Sequence, residues 1–395
     1  MSIDHAMLQN EVEVSIVLPC LNEADTLAAC IERAQAALDE SGIRGEIVVA
    51  DNGSTDGSPE IAKRLQARLI DVPEKGYGSA LMGGIEAAGG RFIIMADADE
   101  SYDLAEVPKF VERLREGYDL VMGCRLDRGG GTVMPKAMPM LHRWWGNPMF
   151  SWLARFWFGS KFNDVHCGMR GFTKTFYERL DQRCTGMEFA TEMTIKASLG
   201  DFKVSEIPIT LHPDGRVAHP PHLKTFRDGW RHLRLYLVYT PRYLFLVPGV
   251  ALVLLGILGY AVALPQLRIA GIRFDVNTLL FASLFLLCGY QSIVFAIFTK
   301  VFAIQERLLP KDPKIDRFFE IANLERGLIL SAAALLTGLT LLGIAVREWW
   351  LAGFGDLDYA HTLRWVIPGA TVTALGVQTV FSSFFATVLG LKRRK

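Results

Sequence analysis

The sequence predicts an open α/β sheet with mostly parallel strands, joined to an α-helical transmembrane domain. Three observations carry that expectation. Strand-like and helix-like segments alternate through the first half, polar motifs fall at the strand ends, and four long apolar runs fill the second half. The chain has 395 residues, enough for two structural units. It is 50% hydrophobic with a mean hydropathy of +0.23, and the excess lies after Pro241.

The β-branched run at 14–18 reads as a buried strand. A helix follows over 23–39, with Leu27, Ile31, Ala34 and Leu38 on one stripe. Residues 46–50 make a second strand, and Pro59 opens a helix over 58–68. A short strand at 68–71, a helix at 79–88 and a strong strand at 91–96 come next. A helix over 104–116 leads to a strand at 119–122. In such sheets ligands collect at the carboxyl ends of strands. The polar motifs 19–23, 51–57, 97–103 and 123–125 sit at those ends.

Two later segments are unusual for a soluble domain. Residues 138–158 hold Trp144, Trp145, Trp152, Trp157, Phe150, Phe156 and Phe158, with Arg143 and Arg155 among them. Residues 222–239 place Phe226, Trp230, Leu233 and Leu237 on one helical stripe and Lys224, Arg227, Arg231 and Arg234 on another. Basic amphipathic helices rich in Trp and Phe lie in the plane of lipid headgroups. The alternative is a core helix with a solvated basic face; the membrane span that follows at once favours the interfacial reading.

Apolar runs at 243–263, 279–303, 328–346 and 366–391 are each long enough for a ~30 Å hydrocarbon core. Arg307, Lys311, Lys314 and Arg317 lie between the second and third runs, and the chain ends Lys392, Arg393, Arg394, Lys395. The positive-inside rule therefore puts the first half and the tail in the cytoplasm, in a multi-pass protein of the cell's inner (plasma) membrane. Residues 1–11 carry no apolar stretch, so no cleaved signal peptide is expected. The expected organisation is a polar tail (1–12), a catalytic α/β domain (13–221) with an amphipathic segment at 136–160, a juxtamembrane helix (222–241) and a four-helix membrane domain (242–395). A homo-oligomer stays open, since Gly338 and Gly343 are five apart and form no small-xxx-small motif.

Net charge is zero, which argues against a chain-wide nucleic-acid surface. Cys20, Cys30, Cys124, Cys167, Cys184 and Cys288 form no C-x-x-C pair, so a zinc site is not expected and a reducing compartment is.

The chemistry concentrates in a few turns. Asp97-Ala98-Asp99 follows the strand 91–96 directly, and two carboxylates there can share one hard divalent cation that also holds diphosphate oxygens. Glu100, Ser101 and Asp103 are near enough to complete its coordination. Residues 51–57 (DNGSTDG) form a Gly-rich turn that caps a helix and can present Asp51 to a base or ribose. Lys75-Gly76-Tyr77-Gly78 pairs a cation with two glycines that let backbone approach a ligand. Asp164 and the residues 167–172 make a similar dense turn. Glu188 and Glu192 are four apart on a helix and share a face, which carries no meaning for a surface pair.

Residues 14–23 (VSIVLPCLNE), 50–57 (ADNGSTDG), 75–78 and 97–99 resemble the pattern of glycosyltransferase family 2. Residues 123–125 (GCR) and 164–172, with Arg216 and Lys224, are similar to its dolichol- or polyprenyl-phosphate sugar synthase branch, whose bacterial members also carry four following spans. The resemblance covers 12–224 of the soluble half. It implies a GT-A fold (a Rossmann-like open sheet), a UDP- or GDP-hexose donor, a polyprenyl phosphate acceptor and inversion at the anomeric carbon. It assigns Pro19, Asn22, Glu23, Asp51, Asn52, Gly53, Lys75, Gly76 and Ala98 to the nucleotide. Asp97, Asp99 and Ser101 would hold Mg²⁺ or Mn²⁺ with the diphosphate. Arg125, Arg216 and Lys224 would receive the acceptor phosphate, with Asp99, Arg125 and Asp164 at the catalytic centre. Asn52 stands where the family has a second Asp, Ser101 where the branch often has Gln, and residues 217–222 (VAHPPH) replace a Gly-Ser-Lys turn.

A lipid phosphate is already ionised at neutral pH and attacks without a strong base, so alignment and charge stabilisation carry the expected reaction. A processive polysaccharide synthase is the alternative, but the chain has no Q-x-x-R-W motif after 97–99. A silent sugar-lipid binding module conflicts with the intact Asp97/Asp99 pair. A flippase-like transporter conflicts with spans nearly free of charge.

Overall fold

The computed structural model describes residues 12–217, 224–321 and 323–390. Residues 1–11 of the polar tail, 218–222 of the acceptor turn, Leu391 of the last apolar run and the basic end Lys392–Lys395 lie outside the described residues. The chain divides into two compact units between Tyr236 and Leu237.

Seven strands form the main sheet of the first unit. They are β1 (Val14–Cys20), β2 (Gly45–Asp51), β3 (Arg68–Asp71), β4 (Phe92–Met95), β5 (Leu120–Cys124), β7 (Arg170–Thr173) and β8 (Val204–Pro208), with a two-residue β6 (Thr132–Val133) apart from them. Their spatial order is β3-β2-β1-β4-β7-β5-β8. All seven residues of β1 are buried, which is why its apolar run is continuous rather than alternating. It pairs in parallel with β2 and β4.

The last part of the expected turn at 164–172 is instead strand. β7 runs antiparallel between β4 and β5, with Met95 and Met122 both opposite Arg170. Its four residues have no alternating pattern to betray a strand, and Arg170 is fully buried. Gly171 admits the neighbours closely: a Cβ there would meet Ile94 Cδ1 at 2.8 Å.

The helices start and stop where side chains compete for backbone. The helix expected from 23 begins four residues later, as α1 (Leu27–Ser41). Asn22 adopts φ +58, and the turn is tied down by Ser58 Oγ on Glu23 N (3.0 Å) and Asp56 on Ala24 N (2.9 Å). α2 (Ser58–Arg64) is shorter than expected, because Gln66 turns at φ +58 to enter β3. α3 (Tyr77–Ala87) follows β3. A 3₁₀ turn (Leu104–Glu106), capped by Asp103 on Ala105 N, precedes α4 (Val107–Arg115). These connections leave the polar motifs on loops along the carboxyl edge of β1, β2, β4 and β5.

The two aromatic segments are helical. α5 (Asn147–Phe158) follows a π turn (His142–Gly146) and buries Phe150, Ser151, Ala154 and Phe158. Further on lie α6 (Lys174–Leu180), α7 (Phe189–Leu199), β9 (Thr210–Leu211) and α8 (Thr225–Val238). α8 buries Asp228, His232 and Tyr236, while Phe226 and Trp230 are 85% and 59% exposed. Of the expected apolar stripe, Phe226 and Trp230 thus face outward, and Leu233 and Leu237 are half-buried. Tyr236 donates to Phe150 O at 3.3 Å, joining α8 to α5.

In the second unit the four apolar runs are helices long and apolar enough to cross a membrane: Arg242–Ala263, Val276–Gln305, Leu324–Leu351 and Tyr359–Gly390. Close approach at small residues packs them pairwise. A Cβ at Gly338 would lie 2.8 Å from Gly369 O, and one at Gly289 would lie 2.7 Å from Gly249 O. The glycines therefore serve contacts within the chain.

Candidate active site

Asp97 and Asp99 stand just beyond β4, on a turn that Glu100 closes at φ +62. Asp97 Oδ1 accepts from Tyr77 Oη at 2.8 Å, and Asp99 Oδ1 accepts from Ser101 N at 3.0 Å. Burial, then the Asp99 charge, push the Asp97 pKa up to about 6. Two carboxylates that repel each other, Asp99 buried and Asp97 half-buried, suit a divalent cation between them. Among the described residues no group of three His, Cys, Asp or Glu side chains is placed to hold a metal. A cation held by the pair alone would keep coordination positions open to a further ligand. Ser101 acts on the pair through its backbone.

The expected nucleotide residues form two interlocked turns. Asp51 accepts from Gly53 N (3.0 Å) and Ser54 N (3.1 Å), and Asn22 Oδ1 accepts from Thr55 N (2.8 Å). Asn52 spends its whole side chain on structure: Nδ2 donates to Val72 O (2.9 Å) and Glu74 O (2.7 Å), and Oδ1 accepts from Gly76 N (2.8 Å). It positions the Lys75-Gly76 turn. Lys75 Nζ donates to Asn52 O and lies directly over Gly53, where a Cβ would come within 2.1 Å of it. Pro19 sits inside β1, and Ala98 O accepts from Thr26 Oγ1 at 2.6 Å.

Arg125 and Asp164 make a buried bidentate pair, Nε to Oδ2 at 2.7 Å and Nη2 to Oδ1 at 2.9 Å. Burial opposes the charge on Arg125, but Asp164 outweighs it and raises the Arg125 pKa well above its ordinary value. Arg216 lies among three carboxylates. It grips Glu23 through Nε and Nη2 and reaches Asp214 at 2.7 Å and Asp99 at 3.1 Å. Burial opposes this charge too, and Glu23, Asp99 and Asp214 together raise its pKa. Lys224 is exposed at the start of α8, with its backbone N–H on Asp228 Oδ2. Among the described residues no contact joins Lys224 to Arg125 or Arg216.

A cleft of about 240 Å³ opens beyond β5, lined by Arg128, Arg143 and Arg155, with Trp144 and Trp152 at its side and Asp127 as its one carboxylate. Burial, then the Arg128 charge, lower the Arg155 pKa. Sequence reasoning passed over Tyr77, Asp214 and Arg128. Tyr77 lies within the K-G-Y-G motif and Asp214 two residues from Arg216, so the signals were local.

A mixed α/β sheet with these strand-end turns, followed along the chain by four membrane-length helices, defines a membrane-bound glycosyltransferase of GT-A fold. Residues 15–181 match the model for glycosyl transferase family 2, and residues 297–390 match that for the family 2 C-terminal transmembrane region. The chain belongs to glycosyltransferase family 2. It is 38% identical over 378 residues to the low-salt glycan biosynthesis hexosyltransferase Agl6 of Haloferax volcanii, covering 95% of this chain and 89% of that one. It is 30% identical to a dolichyl-phosphate hexose transferase of the same organism, over 50% of this chain and 82% of that one. An undecaprenyl-phosphate 4-deoxy-4-formamido-L-arabinose transferase of Pseudomonas syringae pv. syringae is 29% identical, over 71% of this chain and 82% of the relative.

Proposed function

We propose that the protein transfers a hexose, with inversion, from UDP or GDP to a polyprenyl phosphate at the cytoplasmic face of the inner membrane. The observation that carries the reading is the Asp97/Asp99 pair at the end of β4, with Tyr77 holding Asp97 and the pKa of Asp97 raised. Mg²⁺ or Mn²⁺ held by Asp97 and Asp99 would neutralise charge on the leaving diphosphate. Asn22 and Asp51 order the turns that receive the nucleoside, and Lys75 supplies a cation beside them. Arg125, held rigid by Asp164, presents a permanent positive charge where the acceptor phosphate attacks. The cleft of Arg128, Arg143 and Arg155 suits a lipid phosphate, and the exposed aromatics on α5 and α8 suit the headgroup layer around it.

Purified protein given Mn²⁺, a nucleotide hexose and a short-chain polyprenyl phosphate should release nucleoside diphosphate and form a lipid-linked sugar. Undiminished turnover in Asp99→Ala would remove the cation from the reading, and no lipid product with either UDP or GDP donors would remove the reaction.

A further inference from the structure

Three buried polar atoms beside this site have no hydrogen-bond partner among the described residues: Ser79 Oγ, His166 Nε2 and Glu188 Oε2. Unpaired buried polar atoms are costly, so their persistence points to a ligand that completes them. The three are structurally linked. Ser79 N donates to Thr185 O at 3.1 Å, and a Cβ at Gly76 or Gly78 would strike Thr185 O or Cys184 O at 2.2 and 2.4 Å. Glu188 lies three residues on, folded back so that a Cβ at Gly186 would meet its Oε2 at 2.5 Å. His232 feels the Glu188 charge and packs its ring on His166 at 4.7 Å. His166 is two residues from Gly168, where a Cβ would lie 2.9 Å from Asp97 Oδ2. Tyr77, two residues before Ser79, reaches Asp97 Oδ1 at 2.8 Å, so the turns that carry Ser79 and His166 both pack against Asp97.

Its chemistry is that of an acceptor. Asn147 Nδ2 donates to Met138 Sδ at 3.3 Å, which orients the amide so that Oδ1 faces His166 Nδ1, also at 3.3 Å. In the tautomer with the proton on Nδ1, His166 donates to Asn147 Oδ1 and its Nε2 lone pair is left to accept. Burial, then the charges of His232 and Arg125, hold the His166 pKa well below its ordinary value, so the ring is neutral. Glu188 offers a carboxylate oxygen, and the Ser79 hydroxyl serves either role. A neutral imidazole lone pair and a carboxylate oxygen accept from hydroxyl groups and find no donor in a phosphate.

We propose that Ser79, His166 and Glu188 form the subsite for the hydroxyls of the transferred hexose, with His166 and Glu188 as its specificity-determining residues. The proposal rests on the glycosyl-transfer reading above. Calorimetry with Mn²⁺ tests it, using UDP-glucose, UDP-galactose, UDP-N-acetylglucosamine and GDP-mannose, each against its parent UDP or GDP. The wild-type protein binds one sugar nucleotide at least about tenfold more tightly than the parent nucleotide. His166→Phe keeps the ring packing and Glu188→Met keeps the side-chain length; each loses that increment and leaves the affinity for UDP or GDP unchanged. Retention of the sugar increment by both variants overturns the subsite, as does equal loss of nucleotide and sugar-nucleotide affinity. Absence of all binding by the wild-type protein overturns the glycosyl-transfer reading and the subsite with it.

Discussion

Arg216 Nη1 lies 3.1 Å from Asp99 Oδ2, and the same guanidinium holds both oxygens of Glu23 at 2.6 and 2.7 Å. A positive group thus already faces the carboxylate that a divalent cation requires. The loop bearing Arg216 is also tied to that turn, with Gly215 N on Asp99 O at 3.0 Å. A cation bound at Asp99 would compete with the guanidinium for that oxygen, so filling the site would be coupled to freeing Arg216. Arg216→Met should bind Mn²⁺ without nucleotide about tenfold more tightly than wild type, a difference of ~1.4 kcal/mol. Mn²⁺ titration followed by electron paramagnetic resonance reads this directly. Equal or weaker binding would separate Arg216 from the cation site.

Asp97 predicts a conflict between stability and function. Its folded pKa of about 6 exceeds the usual 3.8, mainly through burial and then through Asp99. The folded protein therefore holds more protons than the unfolded chain between those values, and stability falls as pH rises through that window. The penalty above pH 6 is at most about 3 kcal/mol at ~1.4 kcal/mol per pKa unit. Asp97→Asn keeps an oxygen for the Tyr77 hydroxyl and removes the charge. In metal-free buffer at pH 7 it should melt above wild type, and the gap should close by pH 4. Catalysis should fall by orders of magnitude in the same variant.

The Arg125–Asp164 pair makes the opposite prediction. Asp164 is 0% exposed, so Arg125→Ala strands a buried carboxylate and should cost about 3–5 kcal/mol. Arg125→Met combined with Asp164→Leu removes both charges and should recover most of that loss in urea unfolding. It should recover no transferase activity. Full recovery of turnover by the double variant would make the pair a structural element alone.

Legibility in the sequence followed the range of the interactions. β1, β2, β4 and β5 were readable because their apolar runs are continuous and buried. β7 was not, because Arg170 is a buried charge satisfied by the carbonyls of Cys167, Ala190 and Val165, which no local pattern announces. Asp97, Asp99, Arg125 and Asp164 stood out as motif residues at expected strand ends. Their partners did not, since Tyr77 reaches Asp97 across 20 positions and Arg216 reaches Glu23 across 193. Asn52, which the resemblance assigns to the nucleotide, also braces a neighbouring turn, through three backbone groups far from it in sequence.

The outward aromatic faces separate membrane anchoring from positioning at an interface. Trp152 and Phe156 stack at 5.4 Å with 5° between their planes and are 54% and 55% exposed, while Phe226 and Trp230 are exposed on α8. Soluble surfaces rarely carry such a concentration of large apolar rings, and rings of this kind gain most at the headgroup boundary. The four spans keep the protein in the bilayer whatever these residues are. Phe156→Ser with Trp230→Ser should therefore leave membrane insertion intact and leave turnover of a short, water-soluble prenyl phosphate near wild type. Turnover of a long-chain polyprenyl phosphate in vesicles should drop roughly tenfold, the kinetic equivalent of ~1.4 kcal/mol in transition-state energy. An equal drop with both acceptors would mean that the two aromatic residues support the fold of the first unit. No drop with either would leave the apolar faces without a part in acceptor delivery.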